Sequence, residues 1–146
     1  MPFKMIVLAE KNGVAGEYWD FNPPVEAIYY AVPRKQPIIG LSRELLRSRT
    51  HYRTVFAEEL GHHFTTANQN VLKTCFHYTS KLINSKEEYR ALKWAANYLM
   101  PTAVLEEAVA KKGMTEVWQL RDYFCVDEEM VLFRLRLSEK GWYERH

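Results

Sequence analysis

The sequence predicts an α+β chain. Short β-prone runs occupy the first third, helical patterns bounded by capping and stop signals follow, and the two kinds of segment do not alternate. The expected arrangement is a small N-terminal β-sheet packed on a mainly helical body that ends in a C-terminal helix pair, all in one domain over residues 1–146. Residues 1–48 would supply strands and loops, 49–101 the central helices and 102–146 the C-terminal helices.

Met5–Leu8 is a short apolar run. Gly13, Gly16 and Pro23-Pro24 follow it as turn signals, so this portion is expected as strand and loop rather than helix. Ala27–Val32 and Pro37–Leu41 are β-prone and flank Pro33-Arg34-Lys35-Gln36, the pattern of a hairpin or of two adjacent strands. After Ser42 the apolar period turns helical, with a short helix expected around Arg43–Arg47 and a longer one from about Thr50 to Phe64. Gly61 falls inside the longer helix, where it costs about 1 kcal/mol relative to alanine; close packing or a ligand would explain that cost. Thr65–Ser80 has no clear period and reads as a loop with local order.

Ser85-Lys86-Glu87-Glu88 has the form of a capping box and starts a helix that runs through Met100 to a stop at Pro101. Thr102, Thr115 and Asp127 are candidate caps of three further helices. The first ends at Lys111-Lys112-Gly113, and the others run Glu116–Phe124 and Glu128–Leu137.

Hydrophobic residues make up 47% of the chain and charged residues 26%, with a formal net charge of +2. That content fills one core and excludes disorder, and the net charge is too small to imply nucleic acid or an anionic membrane as a partner. The two cysteines, Cys75 and Cys125, lack Cys-x-x-Cys spacing, and Met1–Leu8 is too short for a signal peptide, so a reducing, cytoplasmic setting is expected. No apolar stretch approaches the ~20 residues of a membrane-spanning helix, and no membrane role is expected.

The specific signal is Glu58-Glu59-Leu60-Gly61-His62-His63. In a His-Glu-x-x-His arrangement, residues four apart on one helix face hold a metal, and the Glu between them serves as general base toward the attacking water. Here the general base position (Glu59), the second ligand (His62) and the spacing are present, with a carboxylate, Glu58, at the first ligand position. Glu88 is the best candidate for a third ligand. It shares a helix face with Leu92, Ala95 and Leu99, and a carboxylate turned toward a core needs a partner, for which a metal suffices. Each residue also has a plainer role open to it: Glu58 and Glu59 as a solvated pair, His62 as a hydrogen-bonded histidine, Glu88 as the last member of the capping box.

At these residues the sequence resembles the ImmA/IrrE family of metallopeptidases, found with phage and mobile elements and in some stress responses. Members typically carry His-Glu-Leu-Gly-His on one helix, then Glu-x-x-Ala-x-x-Phe-Ala-Ala and Leu-Met-Pro on a second. This chain has Glu58-Glu59-Leu60-Gly61-His62, then Glu88-Tyr89-Arg90-Ala91-Leu92-Lys93-Trp94-Ala95-Ala96 and Leu99-Met100-Pro101, with Trp94 in place of Phe. The Glu-Glu-Leu-Gly-His-His form is similar to a variant in phage-like members, which implies that Glu58 is an inherited ligand. The resemblance spans most of the chain. It implies a zincin-like body with residues 49–101 as the metal-site helices, His62 and Glu88 as ligands, Glu59 as general base, and a repressor-type DNA-binding protein as substrate.

The resulting expectation is a metal-dependent endopeptidase in which Glu58, His62 and Glu88 hold a divalent ion, zinc foremost, with manganese or iron compatible with the oxygen-rich set. Two carboxylates and one imidazole bring a zinc site near zero net charge, so the attacking water would be less acidic and catalysis weaker than with two imidazoles. The alternative is a catalytically weak or inert peptidase-like module that binds a regulatory protein. A second alternative is a DNA-binding regulator using the C-terminal helix pair, with Arg134 and Arg136 on phosphates. Glu128 and Glu129 at the start of the would-be recognition helix oppose it, so DNA binding is not expected, and Val117, Leu120, Phe124, Val131 and Leu135 are expected to pack as core. His63 lies about 100° around the helix from His62, which makes it a supporting or surface residue. His51 is expected at the surface, with a substrate-groove role open to it, and Cys75 and His77 are expected as structural or free. Oligomeric state carries no signal.

Overall fold

Residues 3–66, 73–78 and 86–145 are described in a computed structural model, with side chains over 4–65 and 86–139. The chain is α+β, as expected. Its elements are α1 (Phe3–Lys11), β1 (Ala15–Trp19), β2 (Val25–Ala31), β3 (Ile38–Ser42), a 3₁₀ turn (Arg43–Arg47), α2 (Arg49–Thr66), β4 (Lys73–Tyr78), α3 (Lys86–Leu99), α4 (Thr102–Ala110), α5 (Val117–Phe124) and α6 (Glu128–Arg145). The four strands form one sheet in the order β1-β3-β2-β4, with β1 parallel to β3 and the remaining pairs antiparallel.

Two of the expected element types are corrected. The first apolar run is helical: Met5 and Ala9, one turn apart, are buried, and Gly13 at φ +74° lets the chain turn so that the Val14 N–H reaches the Ala9 carbonyl. The all-apolar Met5–Leu8 has no period of its own, so its local pattern leaves the type open and the burial of Met5 and Ala9 decides it. The segment read as loop contains β4, which pairs with β2 through Tyr29 and Cys75. Backbone groups along β2 need partners on both edges, and that demand comes from a strand far away in sequence. The Cys75 and His77 side chains lie outside the described residues, as does Ser85 of the expected capping box.

The caps differ in detail. Ser48 starts α2, its hydroxyl accepting the His51 N–H at 3.3 Å. Thr102 is the first residue of α4 rather than its cap, which is Pro101. At α5 the cap is Glu116, and Gln119 reaches back to accept the Thr115 and Glu116 N–H groups, both at 3.0 Å.

The core runs continuously from α1 and the sheet through α2 and α3 to α6. The five C-terminal residues expected to face it do so: Leu120, Phe124 and Val131 are buried, and Val117 and Leu135 pack against them. Arg134, which the disfavoured DNA-binding alternative would have placed on phosphates, is only 3% exposed and serves as an internal clamp. Its Nε donates to the Met100 carbonyl just past α3, and one terminal nitrogen donates to Thr102 Oγ1 at the start of α4. The α5–α6 turn is likewise fastened to α2. Arg53 Nε donates to the Cys125 carbonyl at 3.0 Å, and the Asp127 N–H donates to Thr54 Oγ1 at 2.9 Å.

Candidate metal centre

Gly61 fixes the distance between the two helices that matter. A Cβ at this position would overlap the Ala91 carbonyl oxygen, so α2 and α3 meet backbone to backbone there. The helix-propensity cost noted in the sequence therefore has a packing reason. Ala95 and Ala96, both fully buried, continue the small-residue contact along α3.

One residue past Gly61 and one turn before Ala91, His62 and Glu88 face each other across the seam, Nε2 to Oε2 at 3.3 Å. His62 is 2% exposed, and Glu88 keeps about a quarter of its side chain open. Beside His62 on α2, Glu59 is completely buried. Glu58 is half-buried one turn before His62. Among the described residues, no three His, Cys, Asp or Glu side chains form a group that could hold a metal ion. In donor chemistry, an imidazole with carboxylates fits a divalent ion. In geometry, the arrangement brings together two of the three candidate donors, His62 and Glu88.

His63 is buried, and its Nδ1 lies 2.9 Å from the Tyr29 hydroxyl of β2, with the two rings edge to face. Burial lowers its pKa below the usual histidine value. By tying α2 to the middle of the sheet, this contact sets the rotation of the helix and hence the direction of His62.

Sequence reasoning missed His51. About a third exposed, it is not a free surface residue but bridges two carboxylates, with Nδ1 2.5 Å from Asp127 Oδ2 and Nε2 2.7 Å from Glu26 Oε2. It thereby joins β2 to the start of α6, and the Asp127 side chain, expected to cap α6, is spent on it. The partners stand 25 and 76 residues away, so no local pattern could have revealed them. The Asp127 hydrogen bond, with help from both carboxylate charges and against the effect of burial, raises the His51 pKa from 6.5 to about 9. A raised folded-state value stabilises fully below the unfolded pKa near 6.5 and ceases to do so as pH rises through about 9. Linkage caps the effect at about 3 kcal/mol, and screening at this partly open site reduces it to about 2. Comparing urea denaturation of the wild type and His51→Gln at about pH 6 and about pH 9.5 should show the gap between them shrinking by that amount. A gap that does not change with pH would show that the imidazolium is not the clamp.

The Glu-x-x-His helix α2 is thus seated against a second, Glu-bearing helix, α3. The family model described as the peptidase M78, IrrE N-terminal-like domain matches residues 9–136. The chain belongs to that family. No curated protein and no solved structure gives a significant match. Among the described residues, no helix is long and apolar enough to cross a membrane.

Proposed function

We propose that the chain is a metal-dependent peptidase in which His62, Glu88 and Glu58 hold a divalent ion and Glu59 is the general base, and that it cleaves a repressor-type regulatory protein. The observation that carries this reading is the 3.3 Å approach of His62 Nε2 to Glu88 Oε2, held in register by the Gly61–Ala91 contact. Family membership supports the peptidase class. A bound divalent ion would supply polarisation of the scissile carbonyl and a lowered water pKa. The chain's own contribution is to fix the donors and hold a proton. Glu59 takes a proton from the attacking water at its carboxylate and can return it to the leaving amine. Its full burial keeps that carboxylate away from bulk water.

Glu58 at the first ligand position motivates a second reading, a weakly active or inert module that binds the same protein partner. Elemental analysis of protein purified without chelators, for the wild type, His62→Ala and Glu88→Ala, discriminates between them together with an assay of repressor cleavage. The peptidase reading expects about one divalent ion per chain in the wild type, loss of that ion in both variants, and metal-dependent cleavage. Wild-type protein that stays metal-free in zinc-supplemented buffer, yet binds the repressor intact, supports the inert module.

A further inference from the structure

The outward side of α3 carries a groove that the peptidase reading does not use. Thr65 at the end of α2 and Arg90, Lys93, Trp94, Asn97 and Tyr98 of α3 line it, around a volume of about 510 Å³. That volume is within the range of ligand sites. At about 100° per residue, Arg90, Lys93 and Asn97 stand roughly 140–200° around α3 from Glu88, and Trp94 and Tyr98 about 120° and 80°, so the cationic part of the groove faces away from the His62–Glu88 pair.

The groove combines two chemistries. Phe64 stacks on Trp94 with ring centroids 4.8 Å apart, and Trp94 stacks on Tyr98 at 5.1 Å, giving an aromatic row along the helix pair. Arg90 and Lys93 are exposed beside that row, and neither forms an ion pair among the described residues. Among the described residues, no carboxylate lines the groove. Two unspent cations favour negative groups. Single-stranded nucleic acid is a poorer fit. Bases need open ring faces on which to stack, Trp94 already stacks with two neighbours, and two cations are few for a polyanion.

We propose that this groove docks an acidic, partly apolar segment of a protein partner, with Arg90 and Lys93 taking carboxylates and the Trp94–Tyr98 pair taking an apolar side chain. The site is independent of the peptidase reading, and its test requires no turnover.

Fluorescence anisotropy of the full chain with a labelled peptide of alternating Glu and Leu, set against its Gln/Leu counterpart and a labelled oligothymidylate, provides that test. The wild type should bind the Glu/Leu peptide about tenfold more tightly than the Gln/Leu peptide, with the difference shrinking as salt is raised. Arg90→Glu combined with Lys93→Glu should remove the preference, whereas Lys4→Glu with Lys11→Glu, the same change in net charge on α1, should keep it. Trp94→Leu, which retains an apolar body, should weaken both peptides together. Equal affinity for the two peptides overturns the proposal, as does an equal loss in the α1 double variant or tighter binding of the oligothymidylate than of the Glu/Leu peptide.

Discussion

Replacing Glu59 with glutamine should leave metal content unchanged and reduce peptide cleavage by about 10²–10⁴-fold, the usual share of a positioned general base. The amide fills nearly the same space but cannot accept a proton from the attacking water. The neighbouring position separates ligand from base. Glu58→Ala should lose metal, whereas Glu58→His should bind zinc more tightly than the wild type, because imidazole suits that ion and position 58 is one turn from His62 on the same helix face. Elemental analysis and a cleavage assay on the three variants check all of this. If Glu58→His and Glu58→Ala both keep wild-type metal content, Glu58 is not a ligand. If Glu59→Gln cleaves at the wild-type rate, the base lies elsewhere.

The second large effect is expected at Gly61. Alanine there gains about 1 kcal/mol of helix propensity. The added methyl, however, meets the Ala91 carbonyl, a backbone atom that cannot turn aside as a flexible side chain would. Seating it requires α3 to move off α2, an overpacking cost of about 1–3 kcal/mol or more for a well-packed contact. The clash should win, lowering Tm by about 5–10 °C for a net loss of about 2 kcal/mol. The same displacement separates His62 from Glu88, so zinc affinity should fall in parallel. Thermal unfolding with and without zinc measures both. An unchanged or higher Tm would mean that the helices are not held at the distance described.

Much of the architecture is written locally. The β2–β3 hairpin, α2, α3 and the three C-terminal helices follow from residue period and stop signals that act within a few positions of each other. Glu59 and His62 are legible for the same reason, since a four-residue spacing on a helix is a local fact. Glu88 is legible as a carboxylate on an otherwise apolar face and as the Glu of the second-helix motif. The sequence said that it needs a partner, and the packing of Gly61 on Ala91 brings His62 within 3.3 Å of it.

What the sequence by itself determined is therefore the α+β class, the identity of most elements and the chemical character of the candidate donors. Tertiary structure alone decided that the opening apolar run is a helix, because its type depends on burying Met5 and Ala9 against elements still to come. It alone made residues 73–78 a strand, because the partner lies in β2. It also turned Arg134 inward to the Met100 carbonyl and set His51 between Glu26 and Asp127. In each instance the deciding interaction joins residues far apart in the chain, and chain closure leaves no trace in local spacing.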